Sequence, residues 1–99
     1  PVRAIREQIA SAIDLIIHET RHSDGGRRIT KITEVVGLEG DQITMQDIFE
    51  FVQTSTDTSG KIIGHFKPTG NVPTFVEEIK THGLTFDLSI FDPSKHRQR

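Results

Sequence analysis

The sequence predicts an α+β domain built mainly of an antiparallel four-stranded β-meander with two flanking helices. β-Branched and aromatic residues are dense over residues 27–52 and are interrupted by a glycine-containing turn at 37–41, which is typical of two strands folded back on each other. Apolar residues also recur at helical spacing near the start of the chain and again after Pro73. Ninety-nine residues are enough for one modest core.

The first helix and the first strand share an ambiguous boundary. Apolar side chains fall on one helical face as far as residue 17, so periodicity alone allows a single helix to about residue 22. The Asp24-Gly25 pair argues for a break, because Asp-Gly between two apolar runs is a hairpin signal. We therefore predict a helix over 2–12, a strand over 13–22 and a returning strand over 27–36.

The third strand is ambiguous in the same way. A helix capped by Thr44 would place Met45, Ile48, Phe49 and Val52 together, whereas a strand would place Ile43, Met45, Phe49 and Phe51 on one face. The aromatic residues and the turn on each side favour the strand. Phe49 and Phe51 are therefore predicted to share a buried face with Ile43 and Met45.

The last third of the chain predicts one more strand and one more helix. The strand covers 61–67, where Gly64 indicates a bulge or a close backbone approach. The helix covers 73–82, with Pro73 in its first turn and Gly83 after its end, and its buried stripe would be Phe75, Val76 and Ile79. The apolar extension 84–91 can pack only where another surface is available. We expect 1–93 to form the domain and 94–99 to be a flexible basic tail.

Composition limits the classes of partner. Hydrophobic residues make up only 33% of the chain, and a net charge of −2 gives no reason to expect nucleic acid or an anionic membrane surface. The chain has no cysteine, which excludes disulfides and thiolate metal sites, and no apolar run of membrane-spanning length. Six acidic residues and no Lys or Arg lie between Ile32 and Gly60. A solvated acidic face is preferred there over a dedicated contact surface.

No catalytic, nucleotide-binding or metal-binding residue is predicted within the chain. The phosphate-binding pattern G-x-x-x-x-G-K-[ST] does not occur, and the five histidines form no H-x-H or H-E-x-x-H arrangement. Arg3 and Arg6 share one face of the first helix, either as ordinary solvated residues, which we prefer, or as groups that reach a neighbouring subunit or a phosphate. The candidate residues for a subunit interface are Arg3, Arg6, Glu39, Asp41 and Asp47.

Four separated blocks carry a resemblance to a known family. They are PVRAIREQIASAIDLI at 1–16, SDGGRRITKITEVVGLEGD at 23–41, ITMQDIFEF at 43–51 and GHFKPTGNVPTF at 64–75. Together they cover most of the chain, and it resembles the C-terminal end of the CpaF/TadA-type secretion motor ATPases of the type II/type IV secretion superfamily. No general constraint on the fold requires an Asp-Gly hairpin, a Glu-Gly-Asp turn and a Gln-Asp-Ile-Phe strand at these distances.

The resemblance implies the C-terminal subdomain of a RecA-like P-loop ATPase. Such proteins form hexameric rings on the cytoplasmic face of the bacterial inner membrane and power Tad/Flp pilus assembly. The intact protein would bind ATP and Mg, and its partners would be its own upstream ATPase core, other copies in the ring and inner-membrane secretion platform proteins. The Walker motifs of the family lie upstream of the region that this chain matches, so no catalytic residue is carried over and the fragment should be inactive alone.

The sequence also predicts that the chain associates with other copies or proteins through exposed apolar surface. A subdomain of a larger ATPase would expose apolar surface on its first helix and along 84–91, and such patches drive association. We expect apolar contact to dominate over ion pairs, because an exposed ion pair contributes only about 0–1 kcal/mol. A free-standing protein interaction module with no motor attached is the alternative hypothesis.

Overall fold

The computed structural model describes residues 1–95 and has the predicted α+β architecture. Helix α1 (Val2–Ala12) is followed by β1 (Leu15–Arg21), β2 (Arg27–Glu39), β3 (Gln42–Thr56), β4 (Ile62–Pro68) and helix α2 (Phe75–Thr81). Each strand pairs antiparallel with the next, so the sheet order β1-β2-β3-β4 is a meander. The tail predicted over 94–99 begins in a 3-10 turn, Pro93–Lys95, and 96–99 lie outside the described residues.

The hairpin of β2 and β3 forms the centre of the sheet. Both ambiguous segments are strands, as predicted, and β3 is the longest of the four strands. The turn between β2 and β3 consists of Gly40 and Asp41, and Gly40 has φ of 61° at the first central position. A side chain disfavours this left-handed conformation, so glycine at this position fixes where the chain reverses.

The prediction that Met45 shares a buried face with Phe49 and Phe51 is wrong. Register shifts interrupt the β2–β3 ladder between Ile32 and Thr33 and again between Val35 and Gly37. The first shift leaves Ile48 as an extra residue of β3, so Met45 and Phe49 lie on opposite faces although strict alternation would place them on the same one. Met45 consequently lies beside Asp47 and Thr33 in a shallow cleft of the sheet and is half exposed, away from the aromatic core that contains Phe49.

The core lies between β3, α2 and the segment that follows α2. Ile48, Val76 and Phe91 are almost fully buried, and Phe49, Phe75 and Phe86 pack against them. The rings of Phe86 and Phe91 stack with centroids 5.7 Å apart, and the Phe49 ring lies 5.9 Å from that of Phe91. The extension after α2 therefore supplies two aromatic rings to the core, while its aliphatic residues Leu84, Leu88 and Ile90 stay exposed.

Gly64 marks a close approach between β3 and β4, as predicted. A Cβ atom at this position would lie 2.6 Å from Cζ of Phe51 and still closer to the carbonyl oxygen of Val52. The ladder also shifts register next to it, between Gln53 and Ser55. Any side chain at residue 64 would therefore displace the Phe51 ring or the strand itself.

The molecule is a thin slab of 48 × 39 × 17 Å. Its radius of gyration is 16.7 Å, compared with about 13 Å expected for a compact chain of this length. Helix α1 buries none of its residues, whereas the largest buried cluster lies on the α2 side of the molecule. None of the helices described over residues 1–95 is both long and apolar enough to cross a bilayer.

Candidate functional site

Three of the five predicted interface residues meet where α1 lies beside the β2–β3 turn. Nη1 of Arg3 donates to the carbonyl oxygen of Gly40 and to Oδ1 of Asp41, both at 2.6 Å, and Nη1 of Arg6 donates to the carbonyl oxygen of Asp41 at 2.8 Å. Nε of Arg3 also pairs with Oε1 of Glu7 at 2.9 Å. The two arginines therefore bind their own chain and tie α1 to the turn.

The turn is shaped to receive these arginines. The reversal at Gly40 exposes two successive carbonyl groups, and a guanidinium can donate several hydrogen bonds in one plane. The side chains of Arg3 and Asp41 are more than half exposed, so each ion pair contributes only about 0–1 kcal/mol. This junction orients α1 and adds little to the stability of the fold.

The other two predicted residues lie elsewhere. Glu39 ends β2 and pairs along the ladder with Gln42. Asp47 lies in β3, where its Oδ1 accepts a hydrogen bond of 2.8 Å from the hydroxyl of Thr33 and its Oδ2 lies 3.5 Å from Nζ of Lys31. The hydrogen bond from Thr33 lowers the pKa of Asp47, and the charge of Lys31 lowers it further.

A polar cluster surrounds Asp47 in the shallow cleft that Met45 also lines. Nε2 of His18 lies 3.2 Å from the hydroxyl oxygen of Thr33, so the Thr33 hydroxyl is bonded to both His18 and Asp47. In a Ser-His-Asp type of site the histidine stands between the nucleophile and the carboxylate. Here the hydroxyl stands between the other two groups, so the histidine makes no direct hydrogen bond to the carboxylate. The cluster satisfies the buried hydroxyl of Thr33.

Sequence reasoning missed the network of Asp24 and Arg28. The Asp24 carboxylate accepts hydrogen bonds from Nη2 of Arg28 at 2.7 Å and from the backbone N–H groups of Gly26 and Ile62, each at 2.9 Å. These bonds, led by that from Arg28, hold the pKa of Asp24 well below its usual range. The network joins the β1–β2 turn to the start of β4, and the SDGGRR segment signals the turn but not this second contact.

Sequence reasoning also missed Glu34, which is only 3% exposed in the middle of β2. Its carboxylate accepts a 2.7 Å hydrogen bond from the hydroxyl of Thr74, two of 3.0 Å from the Thr74 N–H and one of 2.8 Å from Nε2 of Gln46. Burial raises the pKa of Glu34, but the hydrogen bonds from Thr74 and Gln46 outweigh it and lower the pKa below its usual value. A carboxylate on a strand thus caps the start of α2.

Two apolar surfaces stand out because most of their side chains are exposed. We call the first the α1 stripe; its members follow one another at helical spacing and are Val2, Ile5, Ile9 and Ile13. We call the second the C-terminal patch, which consists of Val72, Leu84, Leu88 and Ile90. Ile5 is 57% exposed and Leu84 is 62% exposed, whereas Ile9 is half-buried. The predicted exposure of the first helix is confirmed, whereas that of 84–91 holds only for Leu84, Leu88 and Ile90, because Phe86 and Phe91 pack in the core.

The histidines are dispersed, and within residues 1–95 no group of three or more metal-ligating side chains is close enough to hold a metal ion. Nδ1 of His22 and Nδ1 of His65 are buried without a hydrogen-bond partner, and the His22 ring lies 5.7 Å from that of Phe51.

Comparison of the chain with protein-family models and with curated proteins finds no match.

Proposed function

We propose that this chain is the C-terminal subdomain of a CpaF/TadA-type secretion motor ATPase and that its role in the motor is structural. Helix α1 is the observation that carries the assembly role. It is amphipathic, buries none of its residues and presents the α1 stripe to solvent. An isolated 11-residue helix is marginal in water, so a helix of this kind is most useful when its apolar side meets another surface.

The attribution to the ATPase family is supported by the four sequence blocks that resemble it. Two of these blocks form the β2–β3 hairpin with the Gly40 turn, and the first block forms α1 and the start of β1. The same turn receives Arg3 and Arg6, so residues from separate blocks contact one another. In this proposal ATP and Mg bind upstream, and the motor acts on the cytoplasmic face of the bacterial inner membrane beside its platform proteins.

The intact reading frame provides the direct test. We expect a Walker A motif upstream in the same frame, ATP hydrolysis by the intact protein, and neither binding nor hydrolysis of ATP by residues 1–99 alone. Calorimetry with ATP on the 99-residue chain checks the last point. Saturable binding that Arg3→Ala or Arg6→Ala abolishes would show instead that these arginines hold a phosphate.

A free-standing interaction module is the second candidate function. The exposed α1 stripe and C-terminal patch favour it as much as they favour the motor, because both roles need a contact surface. The sequence of the full reading frame distinguishes the two hypotheses. A stop codon and a separate start site immediately upstream would reject the motor and leave the interaction module.

A further inference from the structure

At one end the sheet divides into two separate hairpins. The β2–β3 ladder ends at the pair formed by Lys31 and Glu50. Beyond that pair, within residues 1–95, β2 pairs only with β1 and β3 pairs only with β4. We call residues 19–29 the first arm and residues 51–66 the second arm. The hydrogen bonds that normally join neighbouring strands therefore hold each arm together but do not join the two arms.

A bulge lies where the first arm begins. The β1–β2 ladder shifts register between His18 and Glu19, which leaves Thr30 as an extra residue of β2. Thr30 is directly next to Lys31, the last residue of β2 that pairs with β3. Because a bulge bends its strand and interrupts the ladder, Thr30 is placed to act as a hinge between the first arm and the rest of the sheet.

The two arms touch again at the ring of Phe51, which belongs to the second arm. From the first arm, the His22 ring lies 5.7 Å from the Phe51 ring and the Arg28 guanidinium lies 5.8 Å from its centroid. Nδ1 of His22 is buried without a hydrogen-bond partner. A buried polar atom that lacks a partner costs free energy, so this contact also carries a term that favours separation of the arms.

The carboxylate of Asp24 joins the tips of the arms. It accepts hydrogen bonds from Nη2 of Arg28 at 2.7 Å in its own arm and from the N–H of Ile62 at 2.9 Å in the second arm. Nη2 of Arg28 also lies 3.4 Å from the carbonyl oxygen of Ile62. The Asp24 side chain is only 6% exposed. Hydrogen bonds to an ionised group are roughly twice as strong as neutral ones, so this contact opposes separation of the arms.

We propose that the two arms open and close about Thr30 and that the pair of Asp24 and Arg28 holds them closed. Opening breaks the contacts between the arms and leaves both hairpin ladders intact, so it requires less free energy than unfolding of the domain. The open form exposes the Phe51 ring and Nδ1 of His22. This motion is a property of the 99-residue chain itself and is independent of any motor that lies upstream.

Thiol labelling measures the opening, because the chain has no cysteine and one introduced residue is a unique reporter. Ile62→Cys places the reporter at the tip of the second arm, where the side chain is 8% exposed, and Val76→Cys places it in the core, where the side chain is 1% exposed. When opening and closing are faster than labelling, the labelling rate follows the population of the open form.

Two results are expected from this measurement. The labelling rate at residue 62 should rise only weakly with urea and that at residue 76 steeply, because the dependence on urea scales with the surface exposed. Asp24→Asn should raise the rate at residue 62 by at least about tenfold, because its charge-assisted hydrogen bonds to the second arm are lost. Sub-denaturing urea concentrations keep the domain folded during both measurements.

The control is Glu19→Gln, which breaks an exposed pair with Arg27 at 3.1 Å inside the first arm. It should leave the labelling rate at residue 62 unchanged, because this pair does not join the arms. If Asp24→Asn loses its circular dichroism signal, Arg28→Lys replaces it, since lysine keeps the charge but lacks the paired guanidinium donors.

Two outcomes overturn the inference. Equal urea dependence at residues 62 and 76 would show that the tip of the second arm becomes accessible only when the whole domain unfolds. A rate at residue 62 that Asp24→Asn leaves unchanged would show that this carboxylate does not hold the arms together.

Discussion

The two helices of this protein are attached to the sheet by different physical means. Helix α2 places Val76 in the core against Ile48 and Phe91, and a buried carboxylate caps its start. Helix α1 buries no residue and is tied to the β2–β3 turn by Arg3, whose side chain is more than half exposed, and by the partly exposed Arg6. Burial of an aliphatic side chain contributes about 1.5–3 kcal/mol, whereas an exposed ion pair contributes about 0–1 kcal/mol.

This difference indicates which of the two helices depends less on a partner for its stability. The α2 side has a core of its own and should unfold together with the sheet. Helix α1 should open at a much lower free energy than the whole domain, as segments with few buried apolar contacts generally do. A segment of low local stability that displays an apolar stripe is suited to be completed by a partner.

The largest effect is expected from Ile48→Ala on the packed side. Ile48 is 2% exposed at the centre of the core, and removing a buried isoleucine side chain to alanine costs about 2–5 kcal/mol. For a domain of this size the melting temperature should fall by roughly 8 °C or more. Thermal unfolding followed by circular dichroism measures the shift.

Ile5→Ala on the α1 stripe is the matched control, because it is the same substitution at an exposed position. Its effect on unfolding should stay within about 0.5 kcal/mol. Equal losses at residues 5 and 48 would contradict the comparison, since they would show that α1 contributes as much buried surface as the core.

The next effect concerns Glu34, which holds the start of α2. Replacing it with Gln removes charge-assisted hydrogen bonds to Thr74, each of which contributes about 1.5–3 kcal/mol when the acceptor is ionised. The pKa of Glu34 is lowered in the folded protein, so its ionised form stabilises the fold above the ordinary value of 4.5. This stabilisation is lost as the pH falls through the folded pKa.

Urea unfolding at a series of pH values measures this contribution. The difference in stability between wild type and Glu34→Gln should be full near neutral pH and should shrink on acidification below about pH 4.5. Glu39→Gln, at an exposed position near the end of the same strand, should show no such difference. A difference for Glu34→Gln that does not change with pH would mean that shape alone, and not charge, caps α2.

A smaller loss is expected from Gly64→Ala, which tests how tightly the packed side is built. The new methyl group would lie 2.6 Å from Cζ of Phe51, and such overpacking costs about 1–3 kcal/mol. Gly37→Ala is the control, because a Cβ atom there would meet nothing within 4 Å. If both variants unfold at the same denaturant concentration, β4 and the Phe51 ring lie farther apart than the 2.6 Å contact implies.

The meander could be predicted from the sequence because its signals are local. Turn residues such as Gly40 and alternating apolar residues act over a few positions, so the strands and α2 lie close to their predicted bounds. Met45 was misplaced because the register shift between Ile32 and Thr33 leaves Ile48 as an extra residue of β3 and puts Met45 on the opposite face from Phe49, and no residue type announces such a shift. The alternation rule fails wherever a bulge intervenes.

The polar contacts could not be predicted because they join residues far apart in the sequence. Glu34 bonds to Thr74 and Asp24 bonds to Ile62, so each partner becomes visible only when the sheet brings the segments together. For the candidate site, sequence reasoning identified Arg3, Arg6 and Asp41 as residues of interest. It did not show that they contact one another, because that contact depends on where α1 lies on the hairpin.

The smallest global effect and the sharpest local one are expected from Arg3→Ala combined with Arg6→Ala. Global unfolding should change by no more than about 1 kcal/mol, since the ties are exposed. The backbone amides of α1 should nevertheless exchange with deuterium faster, because the helix loses its attachment to Gly40 and Asp41. Salt near 1 M, where the Debye length is roughly 3 Å, should likewise accelerate exchange in wild-type α1.

The control is Arg27→Ala, which removes a comparable exposed pair with Glu19 at 3.1 Å and should leave exchange in α1 unchanged. Unaltered exchange in the double variant would mean that the half-buried Ile9 and Ala10, and not the arginines, hold α1 against the hairpin.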